Sequence, residues 1–211
     1  MAALARQLTR AEAKLLTRGR LLDAGLKVLC EEGYGALSAS QVSRLAGIAQ
    51  PTFYVHFKDK DDLVRALARE RLGKLRGALR EERGRLVGAL NIEGIRETFR
   101  IPIRAMIENE ELYRLYVQER YQPASPFGAF ARELHAEIHQ DLVEDFARMG
   151  FPSKSAREKA ELEMISEAVI AMAERLGLLY VEGHYTDFEQ VVDLLARFTV
   201  SVFPVGKFPR K

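Results

Sequence analysis

The 211-residue sequence predicts an all-α fold, on three observations. Apolar residues recur at helical spacing along most of the chain, without the convincing alternation of a half-buried strand. Capping signals precede the apolar runs, and glycine or proline follows them. A hydrophobic fraction of 47% is enough for an ordinary buried core, while no apolar run approaches the ~18 residues needed to cross a bilayer.

The first long helix has two candidate starts, a capping box at Thr9–Glu12 or a later beginning at Thr17. Leu22, Leu26 and Leu29 supply its apolar positions at helical spacing. Gly33 is a natural residue to end it. Segments before Thr17 are therefore either helix or a loosely attached arm.

Two short helices are predicted next, on either side of a turn at Gly47. The first follows the S-x-x-Q cap of Ser38 and Gln41, and the second runs from about Gln50 to His56. The predicted buried stripe of the first short helix is Val42, Leu45 and Ala46, and Ile48 is expected to turn inward. Asp59 and Asp62 indicate the start of the following helix. Two short helices around a glycine-containing turn are typical of a helix–turn–helix, whose second helix enters a major groove.

The order and spacing of residues in this segment are specific. The positions concerned are Gly33, Tyr34, Leu37, Ser38, Val42, Leu45, Ala46, Gly47, Ile48, Thr52, Phe53, Tyr54, His56, Phe57, Lys60 and Leu63. In this arrangement the segment resembles the DNA-binding domain of TetR-family transcriptional regulators. It departs from the family pattern at Ala49, where a hydroxyl residue is usual, and near Pro51, where a small residue is common.

The resemblance implies two kinds of DNA contact. Gln50, Pro51 and Thr52 lead the recognition helix, where Gln can pair with adenine and methyl groups can touch thymine. Phosphate contacts are expected from Thr17, Arg18, Ser38, Ser40, Arg44, Tyr54, His56 and Lys60. Phe53 and Phe57 are expected in the core instead, and Ser38 is expected to act first as a helix cap.

The distribution of charge agrees with this resemblance. Residues 1–76 hold 14 Lys or Arg against 8 Asp or Glu, a balance of +6, whereas residues 77–211 hold 18 against 22, a balance of −4. A basic N-terminal part suits a phosphate-binding surface, because cations near phosphates release condensed counterions. A merely solvated face would carry the same excess, so charge alone leaves both interpretations open.

The chain from Leu75 onward is predicted to form a second helical domain, which divides the protein into residues 1–74 and 75–211. Helix starts are expected at Asn91, Glu110, Ser125-Pro126, Ser153 or Ser155, and a Thr186–Glu189 capping box, with the last helix ending at Pro204. The last two helices carry broad apolar faces. We therefore expect them to pair with a second copy in a four-helix dimer interface, as the resemblance also implies.

A cavity for an apolar effector is expected in this second domain. Its candidate lining residues are Phe99, Ile103, Met106, Tyr113, Tyr116, Arg120, Tyr121, Phe127, Phe130 and Met172, although such stripes more often form plain core. The segment Leu115–Tyr121 with the helix after it is also similar to the FabR/DesT-like subgroup. That similarity implies a fatty acyl thioester such as acyl-CoA, with its tail in the cavity and its anionic head at Arg side chains.

The sequence also bears on the compartment of the protein, on its single cysteine and on a metal site. The first twenty residues lack the continuous apolar core of a secretory signal, so a cytoplasmic protein without a membrane partner is expected. Cys30 is the single cysteine and favours packing. His135 and His139 lie four apart without a third ligand or an H-E-x-x-H order, so neither a metal nor another cofactor is expected.

The sequence therefore predicts a ligand-responsive transcriptional regulator without catalytic residues. It is expected to bind a palindromic double-stranded DNA operator as a homodimer, usually as a repressor, with an effector that either releases or strengthens binding. The alternatives are a helical small-molecule enzyme with a similar N-terminal fold, and a nonspecific nucleoid or interaction protein.

Overall fold

The computed structural model describes residues 9–88 and 90–202, and in these ranges the chain consists of helices and connecting turns without a strand. The all-α prediction is confirmed. The helices are α1 (Arg10–Glu32), α2 (Ala39–Ala46), α3 (Gln50–His56), α4 (Lys60–Gly88), α5 (Ile92–Glu108), α6 (Glu110–Arg120), α7 (Pro126–Arg148), α8 (Ala156–Val181) and α9 (Phe188–Ser201).

Helix α1 begins at the earlier of its two candidate starts. Thr9 is the N-cap, and its hydroxyl and the Glu12 carboxylate form a reciprocal capping box. Gly33 ends the helix with φ of 81°, a region that favours glycine, and its N–H donates to the carbonyls of Val28 and Leu29. Midway along, a Cβ at Gly25 would lie 2.7 Å from Leu63, so this glycine lets α1 and α4 pack closely.

Helices α2 and α3 form the predicted helix–turn–helix around Gly47, which has φ of 64°. Ser38 caps α2 by accepting from the N–H of Gln41, but the Gln41 side chain donates to Glu32, so the box is only half formed. The prediction of a buried Leu45 is wrong. Its side chain is 47% exposed, because α2 packs only its Val42 and Ala46 side against the core.

Helix α4 has 29 residues and would be about 44 Å long at the usual helical rise. Its start is organised by Asp59, whose carboxylate accepts from the N–H of Asp62 at 2.7 Å. The predicted boundary between residues 74 and 75 falls inside this continuous helix. The division into two domains therefore stays a prediction.

The C-terminal bundle (α5–α9 with the second half of α4) follows the predicted caps with one exception. Asn91, Ser125 and Ser155 cap α5, α7 and α8 through their side-chain oxygens. The capping box at Thr186–Glu189 is wrong, since Asp187 is the N-cap of α9 and accepts from the N–H of Gln190. Pro204, the predicted end of the last helix, lies outside the described residues.

Two apolar clusters form the core. The first joins α1–α3 and the start of α4 to residues of α6 and α7, including Tyr113 and Phe127. The second lies within the C-terminal bundle, around Phe99, Leu142 and Leu195. Because the first cluster crosses from α1–α3 into α6 and α7, a movement of these two helices would reach the helix–turn–helix directly. In the described part of the chain, no helix combines the length and apolarity that a membrane crossing demands.

Candidate nucleic-acid interface and effector cavity

Helix α3 is held by one aromatic anchor and otherwise faces outward. Phe53 is fully buried and packs against Phe57 with ring centroids 5.6 Å apart, as expected for both residues. Gln50 and Pro51 are exposed, and Tyr54 and Val55 are 56% and 66% exposed. Ala49 provides no side-chain cap. The N-terminal end of α3 and its outer face are thus free to meet a groove.

Cationic and imidazole side chains flank this helix. The ammonium of Lys60 lies 4.3 Å above the Tyr34 ring, which fixes its position beside the α3–α4 turn. Burial, with help from the charges of Lys14 and Arg18, holds the pKa of His56 below its usual value. Ser40 and Arg44 lie exposed on α2.

Two further cations belong to this surface, although sequence reasoning missed them. Lys14 is exposed on α1, and Lys58 is exposed in the turn after α3. The sequence signal for Lys14 was available, because it precedes Arg18 by four residues and therefore shares its helix face. Lys58 follows Phe57 directly in the sequence, but it lies in a turn, so helical periodicity could not identify it.

Arg18, a predicted phosphate contact, makes several contacts within the chain. Its Nε donates to Glu70 at 2.9 Å, its Nη1 donates to the carbonyl of His56 at 3.0 Å, and its guanidinium lies 4.4 Å from the centre of the Phe57 ring. These contacts tie α1 to α3 and α4. The guanidinium is therefore occupied within the chain. Thr17 is likewise engaged, donating its hydroxyl to the carbonyl of Ala13 at 2.9 Å.

An apolar cavity of about 100 Å³ lies between α4, α5, α6, α7, α8 and α9. It is long and narrow, because its lining on α4 extends from Leu72 to Leu86, about 21 Å of helical rise. The lining side chains are Leu72, Leu79, Arg83, Leu86, Ile95, Thr98, Phe99, Pro102, Met106, Tyr113, Tyr116, Leu134, Ile138, Leu142, Phe146, Met149, Val169, Ile170, Ala173, Glu174 and Thr199. Such a space suits an elongated apolar molecule.

A buried ion pair closes the α6 end of the cavity. Arg120 donates from Nη1 and Nη2 to the two carboxylate oxygens of Glu174, at 2.7 and 2.8 Å. His135 lies beside the pair, with Nδ1 2.7 Å from Arg120 Nη1 and Nε2 3.0 Å from the Glu167 carboxylate. Glu174 therefore lines the cavity, and its carboxylate also contacts the guanidinium of Arg120 and lies near the imidazole of His135.

The ionisation of this cluster follows from its geometry. Burial opposes ionisation of Glu174, but hydrogen bonds from His135 and Arg120 outweigh it and hold its pKa below the usual value. The Glu174 carboxylate in turn raises the pKa of His135. Burial and the charge of Arg120 oppose that rise, while Glu167 supports it.

An exposed apolar groove runs along α8 and α9. Met164 and Phe198 are 66% and 51% exposed, and Ile165, Ala168 and Met172 complete the groove between them. Single exposed apolar residues are ordinary, but a continuous strip of them indicates an interaction surface. This strip lies on the two helices that the sequence predicts as the dimer interface.

Comparison with known proteins identifies the N-terminal part. The model of the family described as bacterial regulatory proteins, tetR family, matches residues 21–67, which run from α1 through the helix–turn–helix into α4. This segment is therefore similar to that family, and the match covers less than half of the chain. A TetR-family DNA-binding domain at this position agrees with the resemblance seen in the sequence.

One curated relative matches over a short part of the chain. It is the "Fatty acid metabolism regulator protein" of Bacillus subtilis (strain 168), 34% identical over 55 residues. That stretch makes up 26% of this chain and 28% of the relative. The match therefore spans little more than a quarter of the curated protein.

The fold of most of the chain is shared with solved structures. The fatty acid degradation regulator FadR from Bacillus halodurans aligns with a TM-score of 0.69 at 16% identity, over 89% of this chain and 96% of that chain. FadR from Bacillus subtilis, solved in complex with stearoyl-CoA, aligns with a TM-score of 0.67 at 16% identity, over 88% and 99%. A TetR family transcription regulator from Marinobacter aquaeolei VT8 aligns with a TM-score of 0.70 at 16% identity, over 90% and 97%. At these identities the likeness concerns the fold.

The predicted effector residues divide into two groups. Phe99, Met106, Tyr113 and Tyr116 line the cavity. The others have different surroundings, and their role in ligand binding stays a prediction: Ile103 and Phe127 are buried in the core, Arg120 is paired with Glu174 at the α6 end of the cavity, Tyr121 is 71% exposed, Phe130 lines a surface cleft beside α4, and Met172 lines the α8–α9 groove. Sequence reasoning missed Arg83, Thr199 and Glu174 as lining residues, since polar side chains give no apolar signal.

The remaining histidine and cysteine positions have partners within the chain. His139 Nε2 lies 2.9 Å from the carbonyl of Glu163, so it does not share a site with His135. Cys30 is exposed on α1, contrary to the packing prediction, and its sulfur lies 3.6 Å from the carbonyl of Glu111. Burial and then Glu111 and Glu31 raise the pKa of this thiol to about 11. Among residues 9–88 and 90–202, no three His, Cys, Asp or Glu side chains group as metal ligands.

Proposed function

We propose that this protein is a ligand-responsive transcriptional regulator that binds a palindromic DNA operator as a homodimer and represses transcription. The observation that carries the proposal is the orientation of α3, which buries Phe53 and leaves Gln50, Pro51 and Tyr54 exposed. Base contacts would come from Gln50, Pro51 and Thr52. Phosphate contacts would come from Ser38, Ser40, Arg44, Tyr54, His56, Lys58, Lys60 and Lys14.

Dimerisation through α8 and α9 would supply the twofold symmetry of the operator. The exposed Met164 and Phe198 support this surface, because a second copy would remove both from water. Two recognition helices about 34–36 Å apart would then meet successive major grooves. Met164→Glu should leave a monomer in sedimentation at micromolar concentration, whereas a wild-type protein that is itself monomeric would reject the dimer.

The effector would be an apolar chain bound in the cavity, with a fatty acyl thioester as the first class to test. The cavity lining and the names of two similar proteins, a fatty acid metabolism regulator and a FadR solved with stearoyl-CoA, support this class. The open space of about 100 Å³ is small for a long chain, so entry would have to move side chains such as Met106.

This requirement would couple ligand binding to DNA binding. A chain that fits only a widened cavity binds a second conformer more tightly, and the equilibrium shifts by that difference in binding free energy. Tyr113 and Met106 touch both the cavity and the first apolar cluster, which continues into α1–α3. Widening the cavity would therefore change the spacing of the two recognition helices.

Selection of bound sequences from a random DNA pool tests the regulator. A palindromic site preferred over random DNA by roughly three decades or more at physiological salt is expected, whereas equal affinity would favour the nonspecific protein. Lys60→Ala should weaken every sequence alike and lower the salt slope, while Gln50→Ala should change base preference. Lys159→Ala removes an equal charge from exposed α8 and serves as the control.

The enzyme alternative makes a separate prediction. A catalyst would convert its cavity ligand, so mass spectrometry of the bound molecule before and after incubation would find a product. A regulator returns the same molecule unchanged.

A further inference from the structure

Three polar side chains lining the cavity have an atom without a hydrogen-bond partner in the described structure. They are Arg83 at Nη2, Tyr113 at its hydroxyl and Thr199 at Oγ1. Each residue is at most 5% exposed. Buried polar groups in proteins are almost always paired, because an unpaired donor has lost its water without compensation. A ligand with polar atoms in this cavity would supply the missing partners of the residues that line it.

Arg83 is the most informative of the three. Its Nε donates to the Asp145 carboxylate at 2.6 Å, and Asp145 also accepts from Arg148. Arg83 thus has a carboxylate partner at Nε, while its Nη2 has no hydrogen-bond partner in the described structure. A second carboxylate at this point would bury a further charge at high cost. A neutral oxygen would satisfy the donor without that cost.

Thr199 lies in the same half of the cavity as Arg83. Arg100 pairs with Glu189 and Arg96 pairs with Asp193, so α9 runs antiparallel to α5 and carries Thr199 toward the start of α5. Leu86 meets Gly94 at that same end, and Arg83 lies one turn before Leu86. Tyr113 lies at the opposite end, beside Tyr116 and the carboxylate of Glu174.

We propose that the effector is an aliphatic chain that carries a neutral oxygen function, a hydroxyl or a keto group, at the end held by Arg83 and Thr199. A hydroxyl there accepts from Arg83 Nη2 and donates to Thr199 Oγ1, and a keto oxygen accepts from both. The apolar lining between the two ends holds the methylene chain. The inference rests on the proposed function only in taking this cavity as the effector site.

Matched chains with and without a terminal hydroxyl test the proposal. Calorimetry on the full-length protein compares dodecanoic with 12-hydroxydodecanoic acid and hexadecanoic with 16-hydroxyhexadecanoic acid, each as free acid and as CoA thioester. We expect the hydroxylated member of at least one pair to bind about tenfold more tightly, the equivalent of one net hydrogen bond. Equal or weaker binding of the hydroxylated member in every pair overturns the proposal.

Two substitutions assign the preference to the named atoms. Arg83→Met should remove it, and Thr199→Val, which keeps shape and charge, should reduce it several-fold even if Arg83→Met fails to fold. Thr98→Val is the matched control, because the Thr98 hydroxyl also belongs to a cavity residue but already donates to the carbonyl of Ile95 at 2.7 Å. A preference that survives Thr199→Val unchanged, or is lost equally in Thr98→Val, overturns the assignment.

Failure of this inference is distinguishable from failure of the regulator proposal. Selection of a palindromic site together with no chain preference rejects the oxygenated effector and leaves the regulator in place. A tenfold chain preference without any selected DNA site supports the effector class and rejects the regulator.

Discussion

The DNA-binding domain (residues 21–67) and the C-terminal bundle use polar side chains in opposite ways. The first has an interior of apolar residues such as Leu21, Val42 and Leu63, and most of its charged groups lie at or near the surface. The second buries the charged groups of Arg83, Arg120 and Asp145 beside a cavity. A surface that meets DNA must offer its chemistry outward, whereas a site that recognises a small ligand must hold polar groups inside, where each one is costly.

The buried charges of the C-terminal bundle should make it the more sensitive region to charge removal. Arg120→Leu leaves Glu174 without its bidentate partner, and loss of about 3–5 kcal/mol in the free energy of unfolding is expected from chemical denaturation. Arg85→Ala, which removes an exposed pair with Glu81 and Glu82 on α4, should cost about 1 kcal/mol or less. Similar losses in both variants would erase the contrast between buried and exposed pairs.

The close contact of α6 and α7 sharpens the comparison, because both helices join the DNA-binding domain to the bundle. A Cβ at Gly128 would lie 2.1 Å from the carbonyl oxygen of Glu119, which is backbone and cannot rotate away. Gly128→Ala should lower the free energy of unfolding by about 1–3 kcal/mol. Gly77→Ala, in open space on α4, should instead raise it by about 0.5–1 kcal/mol. A neutral Gly128→Ala would mean that the α6–α7 junction is not tightly packed.

The cavity can be narrowed without touching the DNA-binding domain. A Cβ at Gly177 would lie 2.5 Å from the sulfur of Met106, a flexible side chain that lines the cavity. Gly177→Ala should push Met106 into the open space and weaken binding of an apolar chain about tenfold in calorimetry. Operator binding without ligand should be unchanged. Gly19→Ala, which meets nothing on α1, is the control, and equal ligand affinity in both variants would contradict the cavity assignment.

The smallest expected effect is a pH dependence of folding stability that has opposite signs in the two regions. The pKa of His135 is raised by Glu174, so its stabilising contribution is complete below pH ~6.5 and is lost as pH rises through the folded pKa. The pKa of His56 is lowered by burial, Lys14 and Arg18, so its contribution is complete above pH ~6.5 and is lost as pH falls through the folded pKa. Denaturation between pH 5 and 8 measures both.

The stability gap between wild type and His135→Gln should therefore shrink as pH rises, and the gap for His56→Gln should shrink as pH falls. Parallel trends in the two variants would contradict opposite environments for the two histidines.

Most of the helices, and the helix–turn–helix surface, could be predicted from the sequence. Caps at Thr9, Ser38, Asn91 and Ser155 act between neighbours in the chain, and apolar periodicity identifies the buried face of each helix. Phe53 and Phe57 were predicted as core for this reason. Leu45 was misplaced, because an eight-residue helix has room on its buried side for only part of an apolar stripe.

Only the tertiary structure decided which side chains meet. Arg18 pairs with Glu70, 52 positions away, and Arg83 pairs with Asp145, 62 positions away. Periodicity reports that a residue faces inward but not whether the interior at that point is filled, as for Phe127, or open, as for Met106. The sequence by itself determined the elements and the outward helix, since these depend on local interactions. The cavity and its polar ends depend on contacts between distant helices, which only the folded chain brings together.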